Sequence, residues 1–327
     1  MFIGISGTRC SGKSEVARYL QRQGFTRLEL AKDGCDHGED ENNGSCNPET
    51  VETFVSADEM LEFVTTRWNQ NFVTSDICSV EVLEKLSHRP FFLHVNVEAP
   101  TVLRWRRYCD KYRGGEALSL DEFVMLSDKL QYNKSDGLAA VCSRAKLSIV
   151  NQSENLEMLY IELGKLNLLD GSRLRPSWDA YFMRLANLAA LRSNCMKRQV
   201  GAVLVRDNRV IATGYNGTPR GLTNCNQGGC KRCNSGNSSG IDLKTCLCLH
   251  AEENALLEAG RDRVGHSSSI YCNTCPCLTC AIKIAQSGIT EVVYSQSYSM
   301  DTATAEIMRS ANIKLRQYSP PSEGLIL

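Results

Sequence analysis

The order and spacing of His250, Glu252, Cys277 and Cys280 constrain the fold more than any other feature of the chain. His250 and Glu252 open a stretch rich in helix formers, and Cys277 and Cys280 open another. Cysteines three residues apart share one face of a helix. A histidine and two cysteines supply three zinc ligands, which is typical of a catalytic site that leaves the fourth position to water. The chain must therefore bring two helix starts together around one ion.

Each half of this motif has a simpler explanation when it is taken alone. A Cys-x-x-Cys pair also fits a structural zinc knuckle or a redox pair, and a His-x-Glu triplet occurs by chance. Together, and in this order, they resemble the signature of zinc-dependent nucleobase deaminases. The resemblance implies that His250, Cys277 and Cys280 bind a catalytic zinc ion. It also implies that Glu252 transfers protons between water and the base.

Further motifs extend the resemblance over residues 176–318. They are Arg-Pro-Ser-Trp178-Asp-Ala-Tyr181-Phe182-Met, Ser-Asn-Cys195-Met-Lys-Arg, Val-Gly201-Ala-Val, Gly214-Tyr215-Asn216-Gly217-Thr218-Pro219 and His250-Ala-Glu252-Glu-Asn254-Ala. This stretch resembles the deoxycytidylate (dCMP) deaminase family, and the whole chain resembles its long fungal form. The resemblance implies conversion of dCMP to dUMP for thymidylate synthesis. It also implies a homo-oligomer, often a hexamer, that is activated by dCTP and inhibited by dTTP.

Two residues outside the zinc motif are implicated in substrate binding by the same resemblance. It implies that Asn216 contacts the deoxyribose and that Tyr298 borders the substrate. Gly214 and Gly217 flank Asn216 and would let a ligand approach the backbone closely. The alternatives are an ordinary turn at the end of a hairpin for Asn216, since Asn and Gly dominate turns, and a core position for Tyr298.

The charge balance favours a small substrate. Lys plus Arg and Asp plus Glu both number 37, and no basic run flanks the zinc motif, so no overall field attracts a polyanion. We therefore predict a mononucleotide substrate and no nucleic-acid polymer as partner. Two alternatives remain: a deaminase for another base or a polynucleotide, such as adenosine in transfer RNA, and a kinase-like module whose main role is to sense nucleotides.

A second metal site is predicted from the remaining cysteines. Ten of the 16 cysteines lie between Cys195 and Cys280. The glycine- and asparagine-rich segment 224–240 is too polar to pack as core, and a structural zinc ion would stabilise it in a reducing compartment. The family resemblance places Cys195 and Cys225 in the first two ligand positions. The other ligands would come from Cys230, Cys233, Cys246 and Cys248, unless these are small buried hydrophobic side chains. Cys272 and Cys275 are predicted to serve packing.

The first third of the chain carries a phosphate-binding motif. Gly7-Thr-Arg-Cys-Ser-Gly12-Lys13-Ser14 follows a short apolar strand and precedes a helical pattern, which is the context of a P-loop. Backbone N–H groups would surround the phosphates, Lys13 would reach the terminal ones and Ser14 would hold Mg²⁺. Residues 1–168 thus resemble a P-loop kinase domain that binds a Mg-nucleotide. A polar, acidic insert at 33–45 replaces the segment where such kinases bind the substrate that accepts the phosphoryl group. The alternative is therefore that this domain keeps the kinase fold but serves only as a scaffold.

The pattern along the chain predicts two α/β domains, 1–168 and 169–327. The second resembles a cytidine-deaminase-like three-layer α/β/α domain with a mixed five-stranded sheet. Its first helix, 177–193, is predicted to bury an apolar stripe made of Trp178, Tyr181, Phe182, Leu185, Leu188 and Ala189. We find no targeting peptide and no run of membrane-spanning length, and zinc-binding cysteines need reducing conditions. We therefore expect a cytoplasmic or nuclear protein.

Overall fold

The computed structural model describes most of the chain and divides it into two compact units. One unit comprises Met1–Arg175 with Ser322–Leu327, and the other comprises Pro176–Pro321. The described residues are 1–31, 51–112, 117–134, 137–236, 245–297, 302–319 and 324–326. The predicted insert at 33–45 lies outside them. No helix within these stretches has the length and apolarity needed to cross a bilayer.

The first unit is a parallel sheet of seven strands with helices between them. The strands are β1 Phe2–Gly7, β2 Thr26–Leu30, β3 Val51–Phe54, β4 Phe72–Thr74, β5 Phe92–Glu98, β6 Leu147–Val150 and β12 Gly324–Ile326. The helices are α1 Lys13–Arg22, α2 Ala57–Thr66, α3 Val80–Ser87, α4 Thr101–Lys111, α5 Leu120–Tyr132, α6 Leu138–Cys142 and α7 Leu156–Leu166. The order of the strands across the sheet is β12-β6-β5-β1-β4-β2-β3. The last strand, which the sequence placed in the second domain, pairs with β6 in this unit.

The turn from β1 into α1 depends on two glycines. Gly7 has a φ of 147°, and a Cβ on it would lie 1.9 Å from the carbonyl oxygen of Val97 in β5. Gly12 has a φ of 104° and immediately precedes α1. Both conformations are rare for residues with a side chain. The predicted succession of strand, tight loop and helix is therefore present.

The second unit contains the predicted mixed sheet. Its elements are α8 Trp178–Ala190, β7 Gly201–Arg206, β8 Arg209–Tyr215, α9 Lys231–Asn234, α10 Ala251–Val264, β9 Ser269–Thr274, α11 Leu278–Ser287, β10 Glu291–Gln296, α12 Thr302–Ser310 and β11 Lys314–Gln317. The strands are ordered β11-β10-β9-β7-β8. The pairs β11/β10 and β10/β9 are parallel, whereas β9/β7 and β7/β8 are antiparallel. The predicted fold class is confirmed.

Alternate residues of β7 show how helices cover both faces of this sheet. Ala202 and Leu204 pack in one core with α10, α11 and α12. Val203 and Val205 point to the other face and pack against α8. Side chains alternate between the two faces of a strand, so these two cores define three layers.

The buried face of α8 differs from the prediction. Phe182 is buried, but Trp178, Tyr181 and Leu188 are 51%, 46% and 62% exposed. The residues that α8 buries are Phe182, Met183, Ala186 and Ala190. Helical spacing correctly predicts the helix, but it offers two neighbouring apolar stripes, and contact with β7 and β9 selects the second one.

Candidate zinc centre

Two helix starts in the second unit meet at the predicted metal ligands. His250 immediately precedes α10, Cys277 immediately precedes α11, and Cys280 lies in the first turn of α11. The Nδ1 atom of His250 lies 3.2 Å from the Sγ of Cys277 and 3.4 Å from the Sγ of Cys280. The structure therefore brings together the three side chains that the sequence selected.

The spacing of these atoms fits one zinc ion. Zinc–nitrogen bonds of ~2.0 Å and zinc–sulfur bonds of ~2.3 Å at tetrahedral angles place nitrogen and sulfur about 3.5 Å apart. The three ligand atoms also lie within 4.8 Å of one another. The group thus supplies three of the four ligands of a tetrahedral ion, as in a catalytic site.

Local interactions favour the ligand form of one thiol before any metal binds. A hydrogen bond from Cys280 and a further one from His250 outweigh burial and lower the pKa of Cys277 to about 3. The neighbouring thiolate and burial raise the pKa of Cys280. The unpaired N–H groups at the start of α11 also favour negative charge. Cys277 is therefore a thiolate at neutral pH, and thiolates are the form that binds zinc.

Glu252 lies beside this group and is almost fully buried. It is 3% exposed and occupies the first turn of α10. Burial raises the pKa of its carboxyl group, while the nearby charge of His250 opposes the shift. A carboxyl group with a raised pKa can take up and release a proton near neutral pH.

Two cysteines form part of the surroundings of Glu252. Cys272 on β9 and Cys275 beyond it are buried, in line with their predicted packing role. Burial, and then the charge of Glu252, raises the pKa of both thiols, that of Cys275 to about 11. Both thiols stay neutral, which keeps the surroundings of the carboxyl group weakly polar. Their proximity to Glu252 could not be inferred from the sequence, since these residues lie on separate elements.

Asn216 is buried and serves the local structure through its side chain. Its Oδ1 accepts hydrogen bonds from the Val200 N–H at 2.8 Å and from the Ser193 hydroxyl at 2.7 Å, and its Nδ2 donates to the Arg198 carbonyl at 2.7 Å. The amide thus fastens the segment before β7 to the end of β8. Both lone pairs of Oδ1 are used, which leaves one N–H for a ligand. The contact with deoxyribose stays a prediction. Tyr298 lies outside the described residues.

The loop after β8 is joined to the start of α10. Gly217 and Leu249 exchange two backbone hydrogen bonds, at 3.1 Å and 2.8 Å. Asn254 in α10 donates to the carbonyl oxygen of Tyr215 at 3.0 Å. A movement of this loop would therefore displace Leu249 and with it His250, which directly follows Leu249. No pattern in the sequence predicts this pairing.

All six candidate ligands of the second metal site lie in one cluster. Cys225, Cys230, Cys233 and Cys248 are buried, and Cys195 and Cys246 pack against them. They form two groups of four whose sulfur atoms are close enough to hold an ion: Cys195, Cys225, Cys233 and Cys248, and Cys230, Cys233, Cys246 and Cys248. The sequence could not choose among these residues, and the structure places all six together; metal binding by them stays a prediction.

The P-loop residues surround the start of α1 in the first unit. The ammonium group of Lys13 donates to the carbonyl oxygens of Gly7 and Thr8, at 2.8 Å and 3.1 Å. Arg107 of α4 donates to the carbonyl oxygens of Cys10 and Ser11. Ser14 follows Lys13 within α1. Phosphate and Mg²⁺ binding by Gly7, Gly12, Lys13 and Ser14 remains a prediction.

Comparison with known proteins agrees with the fold and the metal-binding group. Residues 176–296 match the family model of the cytidine and deoxycytidylate deaminase zinc-binding region. A three-layer fold that carries this group at two helix starts defines a zinc-dependent deaminase.

Two relatives narrow this class to one family. The deoxycytidylate deaminase of Schizosaccharomyces pombe is 48% identical over 329 residues, covering 99% of each chain. The deoxycytidylate deaminase of Saccharomyces cerevisiae is 44% identical over 336 residues, covering 100% of this chain and 99% of its own. This chain therefore belongs to the deoxycytidylate deaminase family. A solved structure, the dCMP deaminase of cyanophage S-TIM5 in complex with dCMP and dUMP, is 29% identical with a TM-score of 0.37 and covers 44% of this chain and 98% of its own.

Proposed function

We propose that this protein hydrolyses dCMP to dUMP and ammonia and thereby supplies dUMP for thymidylate synthesis. The observation that carries the proposal is the His250, Cys277 and Cys280 group beside the buried Glu252. The similarity over nearly the full length to two proteins named deoxycytidylate deaminase supports dCMP as the substrate.

The zinc ion and Glu252 would have different roles in the hydrolysis. Zinc held by His250, Cys277 and Cys280 would supply Lewis-acid activation of water at neutral pH. Glu252 accepts the proton that the attacking water loses and passes it to N3 of the cytosine ring. The same carboxyl group then assists the departure of the C4 amine as ammonia, which leaves a carbonyl group at C4. Its raised pKa suits both halves of this transfer.

An ammonia-release assay on the full-length protein tests the substrate. dCMP is expected to react, while CMP, deoxycytidine and adenosine-containing transfer RNA react far more slowly. Preference for deoxycytidine would show that the phosphate is not recognised. Faster reaction of the transfer RNA would contradict the proposal and support a deaminase for polynucleotides.

Regulation by dCTP as activator and dTTP as inhibitor forms part of the proposal. The pairing of Gly217 with Leu249 supports it, because a nucleotide bound at residues 214–219 would act directly on the segment before His250. Adding dCTP is expected to raise turnover at low dCMP concentration, and adding dTTP to lower it. Turnover that is indifferent to both nucleotides would contradict regulation but not the deaminase activity.

The first unit is proposed to bind a Mg-nucleotide at its P-loop. The left-handed backbone at Gly12 and the position of Lys13 at the start of α1 support this role. Calorimetry on the full-length chain is expected to detect ATP or a deoxynucleoside triphosphate, and Lys13→Ala to abolish that binding without changing basal dCMP turnover. Lys165→Ala, an exposed lysine of α7, is the control. If Lys13→Ala binds nucleotide normally, the P-loop does not bind it and the scaffold alternative holds.

A further inference from the structure

The cluster of six cysteines contains more ligands than one ion can use. Structural zinc is four-coordinate, and four cysteines complete its shell. Here two complete sets of four exist, and they share Cys233 and Cys248. A single zinc ion in either set would leave two thiols of the other set beside it, one buried and one half-buried.

The distances between sulfur atoms match zinc–thiolate geometry. Four sulfurs at ~2.3 Å from one zinc ion lie about 3.8 Å from one another at tetrahedral angles. The Sγ of Cys233 lies 3.8 Å from that of Cys195, 3.6 Å from that of Cys246 and 3.9 Å from that of Cys248. The Sγ atoms of Cys230 and Cys246 lie 3.9 Å apart. A disulfide would need about 2.05 Å, so these pairs are not disulfide-bonded, and their spacings fit ligands of a shared metal ion.

We propose that the six cysteines bind two zinc ions in one binuclear cluster. Cys233 and Cys248 each bridge both ions. Cys195 and Cys225 complete the shell of the first ion, and Cys230 and Cys246 complete the shell of the second. Each ion then has four sulfur ligands, so the cluster is structural and closed to water. With the catalytic ion, the chain holds three zinc ions.

Neighbouring groups can stabilise the charge of such a cluster. Six thiolates exceed the charge of two divalent ions by two negative charges, so hydrogen bonds to sulfur are favourable. The N–H of Met196 donates to the Sγ of Cys225, and the N–H of Leu247 donates to the Sγ of Cys230, both at 3.4 Å. The Arg232 side chain also interacts with Cys233 and Cys246.

The cluster occupies the place of a hydrophobic core in a polar part of the chain. Segment 224–240 is rich in Gly and Asn, and the cysteines are its buried side chains in the described residues 224–236. Cys248 stands two positions before His250. Through this residue the cluster fixes the approach of the chain to α10, and metal binding becomes part of folding.

Zinc content is the first test. The full-length protein, saturated with zinc and then desalted, is expected to contain three zinc ions per chain by mass spectrometry of the metal. X-ray absorption at the zinc edge is expected to show a zinc–zinc scattering path. Two ions per chain without that path would mean one mononuclear structural site, and this would overturn the proposal.

Variants separate the cluster from the catalytic centre. His250→Ala is expected to lose one ion and to keep two together with the zinc–zinc path. Cys233→Ser removes a ligand from both cluster ions and is expected to leave one ion per chain. Cys109→Ser, a half-buried cysteine of α4, is the matched control and keeps three. If Cys233→Ser loses a single ion and keeps one sulfur-bound ion, Cys233 does not bridge and the proposal is wrong.

Discussion

Glu252, the proposed proton carrier, occupies a buried position at the start of α10, next to the candidate metal ligands. The residue is 3% exposed, and burial raises the pKa of its carboxyl group. Removing a general acid–base group of this kind costs about 10²–10⁴-fold in rate. The adjacent Glu253 instead forms an ion pair with Lys283 on the neighbouring helix. The two neighbouring glutamates therefore provide a built-in comparison.

Glu252→Gln is expected to lower kcat for dCMP by at least about 100-fold while the zinc content stays the same. The reason is that an amide cannot accept a proton from water and pass it to the base. Steady-state kinetics and metal analysis on the same sample measure both quantities. Glu253→Gln, the control, is expected to keep most of the activity. A near-normal rate for Glu252→Gln would refute its assigned role.

Asn216→Ala is expected to lower the free energy of unfolding by about 1–3 kcal/mol, because the Val200 N–H and the Arg198 carbonyl lose their buried partner. Urea unfolding measures this change. The KM for dCMP would rise as well if the remaining N–H contacts the sugar. Unchanged stability with a raised KM would mean that ligand binding is the only role of this side chain.

At the scale of elements, two glycines let helices lie directly on the second sheet. A Cβ on Gly201 of β7 would meet the Ala186 carbonyl oxygen in α8 at 2.0 Å. A Cβ on Gly214 of β8 would meet the Ala251 carbonyl oxygen in α10 at 2.1 Å. The position of α10, and with it the position of His250 and Glu252, depends on the second contact.

Gly214→Ala is expected to cost about 3 kcal/mol of stability and to reduce catalytic zinc binding, since the methyl group pushes α10 away from β8. Thermal unfolding and metal analysis test this expectation. Gly171→Ala serves as the control, because a Cβ there has nothing within 4 Å. Equal stability for the two variants would show that α10 can move without loss.

An ion pair joins α8 to the edge of the same sheet and gives a pH-dependent prediction. Arg316 of β11 donates to both carboxylate oxygens of Asp179, at 2.6 Å and 3.0 Å, and the Tyr271 hydroxyl also donates to Asp179. The hydrogen bonds from Arg316 lower the pKa of Asp179. A carboxyl group whose pKa is lowered by folding stabilises the folded state at any pH above its ordinary pKa, which is near 3.8. This contribution disappears as the pH falls through the lowered pKa.

Asp179→Asn is therefore expected to lower the free energy of unfolding by about 1–2 kcal/mol at neutral pH, and the deficit is expected to shrink in acid. Urea unfolding at neutral pH and below pH ~4 compares the variant with the parent chain. Asp58→Asn, whose carboxylate pairs with Lys85 on the surface, should change little. A deficit that is constant with pH would contradict the ionic origin.

At the scale of the whole molecule, the exposed side of α8 supports a homo-oligomer. Leu188 and Leu191 are 62% and 67% exposed, and Trp178 and Tyr181 of the same helix are also exposed. Exposed apolar patches on one helix are typical of protein interfaces. A second copy of the chain is the partner that the family resemblance implies, with a hexamer as the expected assembly.

Leu191→Glu is expected to reduce the assembly to smaller species, because a charge in an apolar interface loses its hydration. Light scattering after size exclusion gives the mass. Met125→Glu, at an equally exposed position of α5 in the first unit, is the matched control and should leave the assembly intact. A parent chain that is already monomeric would refute the oligomer.

Local spacing alone was enough to predict the main helices and strands and to select the three residues that lie together at the candidate zinc centre. Helical runs begin at His250 and Cys277 as predicted. Which stripe of α8 is buried, how Asn216 is hydrogen-bonded and how the six cysteines form two overlapping sets of four could be read only from the folded chain. These features depend on contacts between residues far apart in the chain, and the periodicity of a single segment does not indicate which residues will pack against it.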